Sequence, residues 1–190
     1  MCIRDRDWIE ADLTAMIAEK EELLRDATPV CALRREAVDL ADASARAAFL
    51  DRAVAGDTPT LVLTEGLLAY LEDDDVRAVA RDLAGRPAIR YWILDVFSAA
   101  IRDSVQRSMG TTLARAPLKF APPDGVGFFE SLGWTARETL SVFHAAARHR
   151  RLQWWMRPLA LLPGPNPRQP GRSYWSAVVR FEREAASPGV

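Results

Sequence analysis

Short apolar runs and longer amphipathic stretches alternate along the first half of this 190-residue chain. Apolar runs bounded by turn-forming residues predict strands, whereas apolar residues that recur every three or four positions predict helices. Strands are predicted on this basis at Asp7–Asp12, within Val30–Leu40, at Leu61–Leu63 and at Ala88–Val96. Strands that alternate with helices at short spacing are typical of βαβ units, so the sequence predicts an α/β fold with a parallel sheet.

The predicted helices have recognisable ends and buried stripes. Thr14 and Asp42 are predicted to cap the first two helices. Asp73–Asp75 suit the positive end of the third helix, which Gly85 is expected to terminate. The residues predicted to face the core are Leu13, Met16, Ile17, Lys20, Leu23 and Leu24 in the first helix, Ala47, Leu50 and Val54 in the second, and Val76, Val79, Ala80 and Leu83 in the third.

The pattern changes after the fourth strand. Residues 98–124 join a helical stretch, Ser98–Met109, to an irregular one, and we interpret them as an inserted cap over the carboxyl edge of the sheet. A single domain is expected over residues 1–190, although Met1–Arg6 has no periodicity and is interpreted as a non-native start. The later elements are predicted as a helix at Gly125–Leu132, a strand at Trp134–Val142, one or two helices in Phe143–Leu162, a loop at Pro163–Gly171 and a strand at Ser173–Phe181.

Composition narrows the class of protein. Hydrophobic residues make up 49% of the chain and charged residues 27%, which is typical of a globular domain. The net charge of -1 gives no electrostatic reason to expect nucleic acid or an anionic membrane as a partner. Two cysteines form neither a disulfide framework nor a metal cluster, and no apolar run approaches the roughly 20 residues that span a bilayer. We therefore expect a cytoplasmic protein without a metal site.

Acidic residues follow several of the predicted strands. The stretch Leu61–Leu71 begins with an apolar run, Leu61–Leu63, that predicts a fully buried strand, and Tyr70 near its end is expected in the core. Glu65 follows this run, at the carboxyl edge where open α/β sheets bind ligands. Its carboxylate could meet a ligand ammonium or hydroxyl, or a backbone N–H of the next turn. Asp12, Asp39 and Asp95 also follow or end strands, where aspartate is common as a simple cap or turn former.

Several motifs together carry a resemblance to a known family. They are Glu10–Leu13 with Lys20 downstream, Val38–Leu40 and Glu65–Leu71, with weaker support from Phe128–Glu130 and Gly133–Trp134. From about Asp7 to at least Trp134, the chain resembles the leucine carboxyl methyltransferase-like family of class I S-adenosylmethionine-dependent methyltransferases. The resemblance implies a Rossmann-like sheet with flanking helices. The family's first strand and glycine-rich loop are missing from this sequence, so we expect a partial domain.

The resemblance also implies roles for individual residues. Asp12 matches the acid that binds the ribose hydroxyls of S-adenosylmethionine, and a carboxylate can accept both hydroxyl protons. Asp39 and Leu40 match the pair at the adenine ring, and Glu65 matches the residue beside the methionine part. The methyl acceptor is expected to be a small molecule or a carboxylate. No catalytic residue is assigned, although Asp95, His144 and Glu65 are candidates for a base.

Two rival functions stay open. A nicotinamide-dependent oxidoreductase could also use an acid such as Asp12 on a ribose, but the sequence has no evident Ser/Tyr/Lys proton-transfer set. A non-catalytic interaction protein derived from a methyltransferase is the other. The Thr-Glu-Gly-Leu-Leu motif at residues 64–68 also argues against the oxidoreductase, and the combined presence of Asp12, Asp39 and Glu65 argues against the interaction protein.

A segment rich in arginine and tryptophan admits two interpretations. Arg148, Arg150 and Arg151 beside Trp154 and Trp155 could stack on RNA. We prefer a helix whose arginines are solvated and whose tryptophans pack on the sheet, because the chain has no net basic charge. The two histidines nearby are five positions apart, which does not suit a metal pair on one helix face.

Overall fold

The computed structural model describes residues 6–54, 56–111 and 113–183. The chain divides into two compact units, one within residues 1–56 and the other within residues 57–190. Residues 1–5 of the predicted non-native start lie outside the described residues. The prediction of a single domain with a cap at residues 98–124 stays a prediction.

The first unit is a two-stranded parallel sheet with two helices. Its elements are β1 (Asp7–Asp12), α1 (Thr14–Leu23), β2 (Ala32–Ala37) and α2 (Ala43–Ala53). The strands pair in register from Asp7 opposite Ala32 to Asp12 opposite Ala37, which confirms the predicted parallel arrangement. The second strand ends at Ala37, before Val38–Leu40, where the sequence placed its end. Val38 still donates its N–H to the Asp12 carbonyl at 2.8 Å.

One of the two helix caps predicted in the first unit is present and the other is not. The Asp42 cap is confirmed, because its Oδ1 accepts the N–H groups of Ser44 at 2.8 Å and Ala45 at 2.9 Å. These hydrogen bonds, the one from Ala45 first, lower the pKa of the Asp42 carboxyl. The Thr14 cap is wrong, since Leu13 occupies the N-cap position and makes no side-chain cap bond.

The predicted stripe of the first helix is wrong in its burial. Ile17 alone is buried among the α1 residues, while the larger apolar residues on either side are exposed. Within its own unit the main contacts of α1 are with the two short strands β1 and β2, which offer too little surface to cover a full stripe. The exposed members of the predicted stripe are Leu13, Met16, Leu23 and Leu24.

The second unit contains a mixed four-stranded sheet. The strand order is β3-β4-β6-β5, with β3 parallel to β4 and with β6 antiparallel to both β4 and β5. The elements are β3 (Thr60–Thr64), a 3-10 turn (Leu68–Tyr70), α3 (Asp73–Ala84), β4 (Ile89–Phe97), α4 (Ala99–Ser108), a 3-10 turn (Leu113–Arg115), α5 (Val126–Glu130), β5 (Trp134–Ser141), α6 (Val142–Arg148), a 3-10 helix (Trp154–Leu161) and β6 (Ser176–Arg183).

Aromatic side chains form the centre of this unit. Trp92 on β4 packs edge-on against Phe129 at 5.4 Å and against Trp134 at 5.2 Å between ring centroids. Its indole N–H donates to the Thr64 hydroxyl at 3.0 Å, so burial leaves no unpaired donor. The predicted stripe of α3 is confirmed: Val76, Val79, Ala80 and Leu83 are all buried.

Two predictions around the third strand are wrong. Leu61 and Leu63 were expected in a fully buried strand, but they are 44% and 50% exposed. Leu61 and Leu63 lie on the same face of β3, which the described residues leave partly open, whereas a fully buried strand is covered on both faces. Tyr70, expected in the core, is 40% exposed, whereas its neighbours Ala69 and Leu71 are buried.

The segment after β5 also differs from its prediction. Trp154 and Trp155, expected to pack on the sheet, are 79% and 56% exposed. The segment instead folds back on α6, where the His144 Nε2 lies 3.3 Å from the Leu162 carbonyl oxygen. Among the described residues, no helix is long and apolar enough to cross a membrane.

Candidate functional site

The carboxyl ends of β1 and β2 bring Asp12 and Asp39 to the same edge of the first unit. The strands are parallel neighbours in register, and Asp12 ends the first while Asp39 lies two residues beyond the second. The half-buried Asp12 carboxylate accepts the Leu13 N–H through Oδ1 at 2.8 Å. Among the described residues, no hydrogen bond reaches its Oδ2. One carboxylate oxygen is therefore available to a ligand.

The turn after β2 is held by hydrogen bonds and by a buried arginine. Asp39 is exposed, and its Oδ1 accepts the Ala41 N–H at 2.9 Å. The half-buried Leu40 offers its carbonyl to Arg46 Nη1 at 2.7 Å. Arg46, which is 3% exposed, was not predicted as a site residue. Its position one turn after the Asp42 cap is the one sequence feature that could have indicated this role.

Two other residues of the matching motif have a structural role. Arg35 Nε donates to Glu10 Oε2 at 2.9 Å, and Lys20 Nζ lies 3.6 Å from the same oxygen. These ion pairs connect α1 and β2 to β1, on which Asp12 lies. Glu10 and Lys20 therefore position the edge rather than offer free groups to a ligand.

In the second unit, Glu65 lies on an exposed turn that Asp95 holds from the neighbouring strand. Gly66 adopts a φ of 63°, a region that favours glycine, and donates its N–H to Asp95 Oδ1 at 2.8 Å. The backbone N–H that could have satisfied Glu65 is thus bound by Asp95. Within the described chain, the Glu65 carboxylate makes no hydrogen bond or ion pair.

These contacts change the set of candidate bases. Asp95 has the role of a turn former, one of the two readings given for it from sequence. His144 uses Nδ1 in a contact with the Ser141 hydroxyl at 3.0 Å and has Nε2 close to a backbone carbonyl. Glu65 alone of the three is free of such contacts among the described residues. The same residues contain no group of three His, Cys, Asp or Glu side chains that could hold a metal ion.

The segment predicted as a cap is connected to the Glu65 motif. The Ala69 carbonyl accepts the N–H groups of Lys119 at 2.7 Å and Phe120 at 3.2 Å. Lys119 Nζ also pairs with Glu72 Oε1 at 2.9 Å, and Phe120 is buried among aromatic rings. The end of the predicted cap is therefore fixed beside the motif.

A pocket of about 390 Å³ lies beside the start of α4. This helix begins the segment that the sequence predicts as a cap, whereas the contribution of the loop before β6 was not predicted. That loop lies some 70 residues further along, and its residues follow no recognisable motif. The pocket is lined by Ala99, Ala100, Arg102, Asp103 and Arg107 from α4 and by Arg172 and Tyr174 from the loop.

A family model matches the part of the chain that contains the edge residues described above. Residues 4–84 match the family model of leucine carboxyl methyltransferase. The predicted resemblance is confirmed over this range. The matched range includes Asp12, Asp39, Leu40 and Glu65, whose roles stay predictions. No curated protein matches the chain.

Solved structures share the fold at low sequence identity. The magnesium protoporphyrin IX methyltransferase of Synechocystis, solved with bound S-adenosylhomocysteine, is 14% identical, with a TM-score of 0.52 over 93% of this chain and 64% of its own. A DUF574 family protein of Streptomyces avermitilis is 15% identical, with a TM-score of 0.61 over 95% and 66%. A small RNA methyltransferase is 13% identical, with a TM-score of 0.53 over 96% and 21%.

These matches show the fold alone, which is the Rossmann-like α/β fold of class I methyltransferases, as predicted. The chain spans 64% and 66% of the length of the first two structures.

Proposed function

We propose that this protein binds S-adenosylmethionine and transfers its methyl group to an acceptor. The observation that carries the proposal is the pairing of β1 and β2 in parallel, which places Asp12 and Asp39 at one carboxyl edge inside the range that matches the family. Open α/β sheets bind ligands at such edges. Structural neighbours solved with S-adenosylhomocysteine or S-adenosylmethionine support this choice of cofactor.

Each edge residue of the first unit suits one part of the cofactor. The free Oδ2 of Asp12 can accept a hydrogen bond from a ribose hydroxyl. A charged acceptor makes a stronger hydrogen bond than a neutral side chain would. The exposed Asp39 can accept from the exocyclic amine of adenine, since Oδ1 alone is used by Ala41. Leu40 is half-buried beside Asp39 and can pack against a face of the ring.

Glu65 suits the methionine part of the cofactor. Its carboxylate is exposed on a turn whose backbone the Gly66 to Asp95 hydrogen bond holds, so the charge of Glu65 is not used to hold the turn. A carboxylate held in this way can pair with the cofactor ammonium. A separate group holds the turn, so the ligand need not order the backbone when it binds.

The reaction needs little general acid or base catalysis from the protein. Methyl transfer breaks the bond between the methyl carbon and the sulfonium sulfur, which keeps the electron pair, while an acceptor oxygen forms the new bond. We propose a small molecule or a carboxylate as acceptor. A carboxylate needs no base, so positioning and exclusion of water would supply most of the rate. The pocket beside α4 is the proposed acceptor site, and residues 98–124 the proposed cap.

Titration calorimetry with S-adenosylhomocysteine and with NADH tests the proposal. The expected result is saturable binding of S-adenosylhomocysteine and none of NADH. Asp12→Asn and Glu65→Gln should each weaken it by about 1 kcal/mol, because the hydrogen bonds to the cofactor lose their charged acceptor. Asp26→Asn and Glu21→Gln, which alter exposed acids elsewhere in the first unit, serve as matched controls and should bind as the unaltered protein does.

Two results would contradict the assignment. NADH binding in place of S-adenosylhomocysteine would support the oxidoreductase. The binding of neither ligand would favour a non-catalytic interaction protein. If the site variants and the controls bind S-adenosylhomocysteine equally well, Asp12 and Glu65 are not binding residues.

A further inference from the structure

The side chain of Ser98 does not cap α4. Ser98 occupies the N-cap position, where a serine side chain usually accepts a backbone N–H of the helix. Here the Ser98 hydroxyl instead donates to the Ser173 carbonyl at 2.6 Å and accepts the Trp175 N–H at 3.3 Å. The Ser98 side chain therefore makes no cap hydrogen bond to α4.

The buried Ser98 also brings the second wall of the pocket into place. Its backbone N–H donates to the Trp175 carbonyl at 2.9 Å, and Ser98 itself is fully buried. These bonds attach the loop that carries Arg172 and Tyr174 to the start of α4. The pocket is thus built by a buried polar connection and does not depend on chance proximity of surface side chains.

The pocket carries uncompensated positive charge. Arg102 pairs with Asp103 at 2.9 Å and donates to the Lys119 carbonyl at 3.1 Å, so its charge is balanced. Arg107 and Arg172 line the same pocket and have no ion pair within the described chain. Two guanidinium groups without an ion pair in one pocket favour the binding of a negatively charged group there.

The position of the pocket relates it to the reacting edge. Ser98 directly follows β4, and Glu65 directly follows β3, its parallel neighbour. Both therefore lie at the carboxyl edge of the second unit. A volume of about 390 Å³ is within the range of small-molecule sites, roughly 300–1,000 Å³.

We infer that this pocket binds an oxyanion, a phosphate or carboxylate group on the methyl acceptor, through Arg107 and Arg172. The inference rests on the proposed function for its statement that the ligand is the acceptor. The anion site itself does not depend on that function. Tyr174 also lines the pocket.

Calorimetric titration with inorganic phosphate and with acetate, at constant ionic strength maintained with chloride, tests the inference. We expect saturable binding of at least one of the two anions, and the stronger one identifies the group as phosphate or carboxylate. Arg107→Gln and Arg172→Gln should each weaken it by about fivefold or more, since each removes a charge-assisted donor. Arg148→Gln, which changes an exposed arginine at the end of α6, is the matched control and should leave the affinity unchanged.

S-adenosylhomocysteine titrated into the same samples separates this inference from the proposed function. The arginine variants should keep their affinity for it within twofold. Phosphate binding without S-adenosylhomocysteine binding would support the anion site and overturn the proposed function. The anion site is overturned if neither anion binds saturably, or if the double variant Arg107→Gln/Arg172→Gln binds as well as the control does.

Discussion

The Asp95 carboxylate accepts the Gly66 N–H at 2.8 Å, and its removal should loosen the turn that presents Glu65. A hydrogen bond to a charged group contributes about 1.5–3 kcal/mol to stability. The Gly66 N–H is exposed, so water can replace the carboxylate, and we expect a value near the lower limit. Asp95→Ala should therefore lower the free energy of unfolding by about 1.5 kcal/mol.

Asp95→Asn is the matched variant, because its side-chain oxygen can still accept the Gly66 N–H without the charge. We expect it to lose only about 0.5 kcal/mol, in keeping with the smaller contribution of a neutral hydrogen bond. Urea unfolding followed by tryptophan fluorescence measures both differences. Equal destabilisation by the two variants would refute the hydrogen bond as the cause.

The same pair of variants links the turn to binding. If the Gly66 to Asp95 bond preorganises Glu65, then Asp95→Ala should weaken S-adenosylhomocysteine binding by about tenfold, which corresponds to roughly 1.4 kcal/mol. Asp95→Asn should weaken it less. An unchanged affinity in Asp95→Ala would mean that the turn does not act on the ligand.

Two further predictions concern stability. Trp92→Phe should lower the free energy of unfolding in urea by about 2–4 kcal/mol, because it leaves a cavity and a buried hydroxyl without its donor. Trp154→Phe changes a side chain that is 79% exposed and should lower it by less than about 0.5 kcal/mol. Similar losses in the two variants would contradict the described burial. The hydrogen bond from Arg168 lowers the pKa of Glu130, so this pair should stabilise the fold above the ordinary glutamate pKa and lose its contribution as pH falls through the lowered value. Glu130→Gln should flatten that part of the pH–stability curve, and an unchanged curve would count against the pair.

Local pattern was sufficient for much of the fold. The strand β1 and the buried stripe of α3 follow from side-chain periodicity, and the Asp42 cap follows from residue type at a helix start. The family match likewise covers the motifs from which the resemblance was drawn. Each of these features depends on residues that are close together in the sequence.

What could not be predicted depends on contacts between distant residues. Leu63 has the apolar character of a buried residue, but its exposure depends on which elements pack against its face of β3. Ser98 has the residue type of an ordinary helix cap, but its hydroxyl donates to the carbonyl of Ser173, which is 75 positions away. The pocket that contains Arg172 follows from that distant contact, so no local signal could have revealed it.

Amide hydrogen exchange with and without S-adenosylhomocysteine tests the central claim most directly, because it reports where the ligand binds. The account predicts slower exchange in peptides that contain residues 38–41, where Asp39 and Leu40 lie, and residues 64–67, which include Glu65. Asp12→Asn should reduce the protection in the first of these. Binding without protection at either segment would contradict the assignment of the cofactor to these strand ends.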